Sequence, residues 1–208
     1  MQNNPDAQYW QKAHEKYATR DWIVKPTIFV TQIIKYFPKN SYILELGCGQ
    51  GQDSIYFAQN GHKVLACDLS DYALEKAPIN ANVKYQQLDL LEKLPFPKNT
   101  FDVVYSHLAL HYFDDNRTHE LFDEIYSVLR LGGIFATLTN TIDDPEVITL
   151  KKIAEGYYVT PEGLKKRFFS TDSLGKFTTK FETILLDNHG ETHKDEIKTL
   201  TRFVGRKI

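Results

Sequence analysis

Apolar positions follow two rhythms along this chain, and the rhythms alternate. Tyr42-Ile43-Leu44-Glu45-Leu46 is a short continuous apolar run, read as a buried strand, and it leads straight into Gly47-Cys48-Gly49-Gln50-Gly51. Residues 52–60 return to helical spacing, with Ile55, Tyr56 and Ala58 expected to face inward and Gly61 where a helix stops. The alternation repeats. Lys63 to Cys67 predicts a strand ending at Asp68, and Ser70 can cap a helix through Lys76. Val83 to Leu88 predicts a third strand, ending near Asp89. Leu94-Pro95-Phe96-Pro97 is a proline-broken loop. Phe101 to Ser106 predicts a fourth strand. Residues 115–130 carry Leu121, Phe122, Ile125, Val128 and Leu129 on one helical stripe, which Leu131-Gly132-Gly133 ends, and Ile134 to Leu138 predicts a fifth strand.

The flanks differ. Residues 6–22 are polar with recurring aromatics (Tyr9, Trp10, Tyr17, Trp22) and read as a short helix packed loosely on the body. Pro26 suits the first turn of a further helix, whose apolar positions are Ile28, Phe29, Ile33, Ile34 and Phe37. Beyond residue 140, residues 144–155 and 160–168 read as helices or turns outside the repeat, and 171–180 as another helix. Thr183 to Asp187 and Leu200 to Val204 read as two strands joined by a short polar loop, hence antiparallel.

Near-continuous apolar strands separated by helices predict a parallel sheet covered on both faces, an α/β doubly wound, Rossmann-like fold. Right-handed crossovers then gather the carboxyl ends of the strands on one edge, where ligands bind. No internal repeat or linker divides the chain. One domain is expected, with an N-terminal helical segment (1–38), a ligand-binding core (40–140) and C-terminal helices with an antiparallel strand pair (141–208).

Composition narrows the function. The 208 residues are 42% hydrophobic and 25% charged, with 13 Phe, 12 Tyr and 2 Trp, a globular profile able to build a sizeable core. No apolar run approaches the roughly 18 residues that span a bilayer, and residues 1–10 do not resemble a secretory leader. A net charge of −2 without a block of basic residues gives no strong nucleic-acid signal, and Lys165-Lys166-Arg167 reads as a solvated helix end. Two cysteines, Cys48 and Cys67, make neither a disulfide framework nor a CxxC zinc pattern, so a reducing, cytoplasmic setting is expected and both read as packing residues.

The chemistry concentrates at Glu45-Leu46-Gly47-Cys48-Gly49-Gln50-Gly51. Glycines between a strand and a helix permit positive φ and bring backbone N–H groups close to a ligand. A dinucleotide pyrophosphate prefers G-x-G-x-x-G, whereas here the third glycine comes one residue early. Glu45, before the first glycine, would repel a pyrophosphate and suits an ammonium group. Asp68, ending the next strand, can accept both hydroxyls of a ribose, and Asp89, ending the third, can accept from an exocyclic adenine amine. The set points to a nucleoside-like ligand with a cationic tail. It leaves open a non-catalytic nucleoside-binding module, and it counts against an NAD-binding oxidoreductase.

These residues resemble a known family. Ile43 to Gly51 is similar to the first motif of class I S-adenosylmethionine-dependent methyltransferases, and Leu65-Ala66-Cys67-Asp68-Leu69-Ser70 resembles their second. Asp89-Leu90, Leu94-Pro95-Phe96 and Phe101-Asp102-Val103-Val104-Tyr105-Ser106 are similar to the branch acting on small molecules, and Leu129-Arg130-Leu131-Gly132-Gly133 resembles its approach to the fifth strand. The resemblance covers residues 40–140 and implies a seven-stranded sheet whose last strand is antiparallel. It implies S-adenosylmethionine as cofactor and S-adenosylhomocysteine as product. Glu45, Gly47 and Gly49 would hold the methionine end, with Gly51 also among the cofactor-binding residues, Asp68 and Leu69 the ribose and adenine, Asp89 and Leu90 the adenine, and Ser106 the region beside the methionine. Ser106-His107-Leu108-Ala109 replaces the Asn-Pro-Pro-Tyr of amino-methylating enzymes, and a small-molecule acceptor is expected.

A base is needed only where the acceptor arrives protonated. His107, His111 and Tyr112, after the fourth strand, are the candidates, with His111 at the expected rim. The alternative for all three is ordinary packing or surface exposure. The four N-terminal aromatics are either a lid over the acceptor or core covering the sheet edge. His189 and His193 near Asp187 and Asp195 look superficially like metal ligands but lack a helical His-Glu-x-x-His arrangement, and no metal is expected.

Overall fold

The computed structural model describes residues 5–193 and 198–208. Its centre is the predicted alternation: β1 (Tyr42–Leu46), α3 (Gln52–Gln59), β2 (Lys63–Asp68), α4 (Asp71–Lys76), β3 (Val83–Gln87), β4 (Phe101–His107), α5 (Asp115–Val128) and β5 (Leu129–Asn140). It is preceded by α1 (Pro5–Tyr17) and α2 (Ile28–Ile33) and closed by α6 (Thr171–Phe177), β9 (Phe181–Gly190) and β10 (Leu200–Lys207). Seven strands form one sheet in the order β3-β2-β1-β4-β5-β10-β9. β1 pairs in parallel with β2 and β4, and β10 pairs antiparallel with both β5 and β9, so the last strand runs against the rest. The order reverses between β1 and β4, which opens a crevice at their carboxyl ends.

Each face of the sheet has its own core. Leu44, Leu46, Val104, Phe135 and Phe203 pack against Leu121, Phe122, Ile125 and Val128 of α5. Ile43, Val103, Tyr105, Ala136 and Val204 pack against Phe29, Val30 and Ile33 of α2 and Phe57 of α3. Full burial of each such aliphatic or aromatic side chain is worth about 1.5–3 kcal/mol. Local signals agree with this packing. The Ser70 hydroxyl accepts from the Ala73 N–H to start α4, Asp114 caps α5 through the Arg117 N–H, and Ser170 and Ser173 form a reciprocal capping box on α6.

Four expectations need correction. In α3 the fully buried positions are Asp53, Ser54, Phe57 and Ala58, while Ile55 and Tyr56 are half-buried. Asp53 tolerates burial because it accepts from the Thr27 N–H (2.7 Å), the Thr27 hydroxyl (2.8 Å) and the Tyr105 hydroxyl (2.6 Å). α5 stops at Val128, and Leu129 to Gly133 already belong to β5, with an irregularity in the pairing of β4 and β5. Residues 144–155 and 160–168 are not helical beyond one 3-10 turn at Pro145–Thr149. They fold into a second, antiparallel sheet of β6 (Lys151–Ala154), β7 (Tyr157–Val159) and β8 (Lys165–Arg167), in the order β6-β7-β8. Lys165-Lys166-Arg167 is therefore a strand and not a helix end. Lys166 pairs with Glu146, and the Arg167 guanidinium lies over the rings of Tyr157, Phe177 and Phe169 beside Asp115.

Candidate functional site

The carboxyl ends of β1 to β5 open into one large cleft of about 1250 Å³, walled on the far side by α1 and the small sheet. The glycine turn after β1 forms its floor. Gly47, Gly49 and Gly51 all take positive φ (75°, 54° and 78°), a conformation that suits glycine and strains other residues. The turn is tied to β2, since the N–H groups of Gly47 and Cys48 both donate to the Cys67 carbonyl (2.8 and 2.9 Å). A Cβ on Gly47 would fall 2.2 Å from Cβ of Ala109, so the turn and the loop after β4 touch through the missing side chain.

Glu45 is 3% exposed and still reaches the cleft. The Ser54 hydroxyl donates to its carboxyl. Burial, reinforced by the nearby Asp53, holds this carboxyl well above the usual glutamate range against the Ser54 bond. A cationic group arriving in the cleft would supply the counter-charge this carboxyl lacks. Asp68 stands at the end of β2, where its two oxygens accept from the N–H groups of Gly49 (2.8 Å) and Ser70 (2.9 Å). Leu69, Asp89 and Leu90 line the cleft beyond it, half-buried, and Asp89 accepts from the Leu91 N–H (2.9 Å).

Two expected residues stand off the cleft wall. Gly51 begins α3, and a Cβ there would meet the Tyr85 ring. Ser106 is fully buried and its hydroxyl donates to the Leu46 carbonyl (2.8 Å), stitching β4 to β1. Cys48 and Cys67 are buried thiols, and burial pushes both up, Cys67 to about 12.

His107, His111 and Tyr112 all line the cleft. The backbone between His107 and His111 is unusual, because Leu108 holds a φ of 56°, strained for a side chain of its size, while its N–H donates to the Leu138 carbonyl. His111 is not the rim residue expected. It is 1% exposed, its ring lies 4.3 Å from that of Tyr112, and its carbonyl accepts from the Arg167 N–H. Burial, then the neighbouring Tyr17, Tyr9 and Glu146, raise the Tyr112 phenol well above its ordinary value, so it keeps its proton at neutral pH.

The N-terminal aromatics face the cleft. Tyr9, Trp10, Tyr17 and Trp22 line it, and none belongs to either apolar core. Trp10 meets Tyr112 edge-on at 4.8 Å, and α1 is also held by the Gln50 side chain, which donates to the His14 carbonyl (3.0 Å). Sequence reasoning missed His14, on α1 over Gly49 and Asp68, and Asp144 and Glu146, on the segment after β5. All three sit in polar stretches whose pattern carries no sign of long-range contact. Of the residues that superficially look like metal ligands, His189 lies 3.8 Å from Asp187. Asp187 is held by Arg202 (2.8 and 2.7 Å), His193 Nε2 is 3.0 Å from the Pro26 carbonyl oxygen, and Asp195 lies outside the described residues. Among the described residues no group of three or more His, Cys, Asp or Glu is placed to hold a metal, and no helix is long and apolar enough to cross a membrane.

Comparison with known proteins agrees with this geometry. A family model described as a methyltransferase domain matches residues 43–133, from β1 through the start of β5. An uncharacterised methyltransferase of Synechocystis sp. is 30% identical over 150 residues, covering 72% of this chain and 66% of that protein. A malonyl-[acyl-carrier protein] O-methyltransferase of Hamiltonella defensa is 30% identical, covering 71% of this chain and 55% of that protein. The chain thus spans less than two thirds of either relative. A crystal structure of an S-adenosylmethionine-dependent methyltransferase from Methanosarcina mazei shares the fold with a TM-score of 0.71 at 18% identity, covering 85% of this chain and 97% of that one. With the early third glycine, the buried Glu45 and the Asp68 carboxylate in one cleft, the chain belongs to the class I S-adenosylmethionine-dependent methyltransferases.

Proposed function

We propose that this protein transfers the methyl group of S-adenosylmethionine to a small-molecule acceptor held between the loop after β4 and helix α1. The observation that carries this reading is one cleft with two chemistries. Glu45, Gly47, Gly49 and Asp68 line the same cleft as His107, His111, Tyr112 and the α1 aromatics. When bound, S-adenosylmethionine supplies a methyl group on a sulfonium, whose C–S electron pair leaves with sulfur as the acceptor bonds to carbon.

The chain's own residues do the rest. Glu45, through its unmet need for a counter-charge, holds the ammonium end. The turn at Gly47 and Gly49 lets backbone approach the methionine, with Gly51 and Ser106 supporting the turn from behind. Asp68 takes the ribose hydroxyls, Leu69 and Leu90 flank the adenine, and Asp89 accepts from its amine. Fixing donor and acceptor in line supplies much of the acceleration, because proximity alone can contribute about 7–11 kcal/mol. His111, or His107 nearer the strand end, takes the acceptor's proton where there is one, since an imidazole titrates near neutrality. Tyr112, held protonated, orients the acceptor by donating a hydrogen bond. The segment 1–38 acts as a lid that excludes water.

Purified protein incubated with radiolabelled methyl donor and, separately, a metabolite extract, RNA and protein tests this. Label in a small molecule is expected. Label only in RNA or protein would move the acceptor class. Tight S-adenosylhomocysteine binding without any label would favour a binding module, and NAD binding tighter than S-adenosylhomocysteine would reverse the assignment.

A further inference from the structure

We propose that the acceptor half of the cleft is a subsite for a small, uncharged, planar aromatic molecule that donates a hydrogen bond to Asp144. The proposal deepens the methyltransferase reading and rests on it. Three rings make one aromatic wall. Tyr9 and Trp10 meet edge-to-face at 5.1 Å, and Trp10 and Tyr112 at 4.8 Å, so the wall runs from the lid to the loop after β4. Each keeps part of its surface open, none belongs to either apolar core, and all three face the cleft. Ring surface left open inside a cleft is what a planar ligand stacks on.

Asp144 supplies the polar anchor. It lines the same cleft and is 2% exposed. Its Oδ1 accepts from the Glu146 N–H (2.9 Å), whereas its buried Oδ2 meets no hydrogen-bond donor among the described residues. A buried carboxylate oxygen without a donor is costly, and a ligand O–H or N–H would remove that cost.

The surrounding charges select against an ion. Glu146 accepts from both Lys166 and Lys198 (2.6 Å each), and Lys198 also stands 3.6 Å from Oδ1 of Asp144. Two carboxylates and two ammonium groups therefore balance. An acceptor of either charge finds its counter-charge already engaged, while a neutral donor finds one acceptor atom waiting. Burial is the first cause that raises the phenols of Tyr9 and Tyr112, and the charge of Glu146 contributes to both, in the cleft that all three line.

Calorimetry on the full chain saturated with S-adenosylhomocysteine tests this with four probes: 2-naphthol, 2-methoxynaphthalene, 2-naphthoate and decahydro-2-naphthol. Saturable binding of 2-naphthol is expected, at least about fivefold tighter than each of the other three, as for one lost polar contact or a lost stacking face. Asp144→Asn keeps the Oδ1 cap and should weaken 2-naphthol by about five- to tenfold, with S-adenosylhomocysteine affinity unchanged as the control for folding. Trp10→Leu should weaken all three flat probes. Tighter binding of 2-naphthoate, equal binding of the saturated alcohol, an Asp144→Asn variant that binds 2-naphthol as wild type does, or no probe binding while S-adenosylhomocysteine binds would each overturn the subsite and leave the methyltransferase reading standing. Failure of S-adenosylhomocysteine itself to bind would overturn both.

Discussion

Nε2 of His14 stands 3.9 Å from Oδ1 of Asp68, so helix α1 rests an imidazole on the carboxylate that ends β2. His14 is 8% exposed, and its Nδ1 has no hydrogen-bond partner among the described residues. Burial lowers its pKa, with Asp68 opposing. The docked helix therefore refuses a proton that the undocked helix accepts. Docking is at full strength above about pH 6.5, the ordinary histidine value, and weakens as pH falls through it. Fluorescence of Trp10 and Trp22 should report α1 loosening in that window, and His14→Gln should remove the change. A wild-type signal flat from pH 8 to 5 would show that His14 does not govern docking.

Asp68→Asn should weaken S-adenosylhomocysteine binding by about 1.5–3 kcal/mol, the worth of hydrogen bonds to a charged group. Asparagine keeps one oxygen to accept from the Gly49 or Ser70 N–H, so the turn keeps one of its two bonds, and a thermal melt of the variant without ligand separates the lost turn bond from the ribose contact. Calorimetry measures it, and an unchanged affinity would reduce Asp68 to a brace for the turn.

Glu45 carries a proton more readily in the fold than in the unfolded chain. Its contribution to stability is therefore full below the ordinary glutamate value and is lost as pH rises through the folded one. Binding of a ligand ammonium favours the ionised form, so S-adenosylhomocysteine binding at neutral pH should release up to about one proton. Titrations in buffers of different ionisation enthalpy read that release directly. Glu45→Gln should abolish it, weaken the ligand, and reduce the loss of thermal stability with rising pH.

Tyr105→Phe removes one of three donors to the buried Asp53 carboxylate and should cost about 1–3 kcal/mol of stability. Tyr105 does not line the cleft, and Asp53 and Thr27, which do, keep their hydrogen bonds to each other. Thermal unfolding should shift down while S-adenosylhomocysteine affinity stays within about threefold. A larger drop in affinity would show that this network shapes ligand binding through Asp53 and Thr27.

That Glu45, Asp68 and Asp89 line one cleft was legible because strand, turn and acid recur in a fixed order: Glu45 before the glycines, Asp68 and Asp89 after the next two strands. The rest hid for physical reasons. β6 is Lys151-Lys152-Ile153-Ala154, exposed along its whole length, so it has no buried face to impose a period of two. Asp53 and Ser54 are buried because partners far along the chain satisfy them, and hydropathy scores them as surface. His14 faces the site from a helix whose stripe is polar, and only the docked geometry distinguishes it from the charged residues beside it. Ser106 lies beside the right strand end but spends its hydroxyl on Leu46, a choice of rotamer that sequence does not encode.

The chain leaves the large sheet at Asn140 and rejoins its neighbourhood at Phe169, and the two ends of that excursion are clasped. Thr141 bridges Phe169, the Phe169 N–H donates to the Asn140 carbonyl, and the Ile142 N–H donates to the Phe169 carbonyl. Everything between them, including Asp144, Glu146 and the small sheet, hangs from a closed stalk, whereas Glu45 and Asp68 lie upstream in β1 and β2 and Asp89 just past the end of β3. Residues 142–168 are thus a cassette. A relative's loop of different length, spliced at the same clasp, would change what the cleft admits without shifting the register of a single strand that carries the donor side.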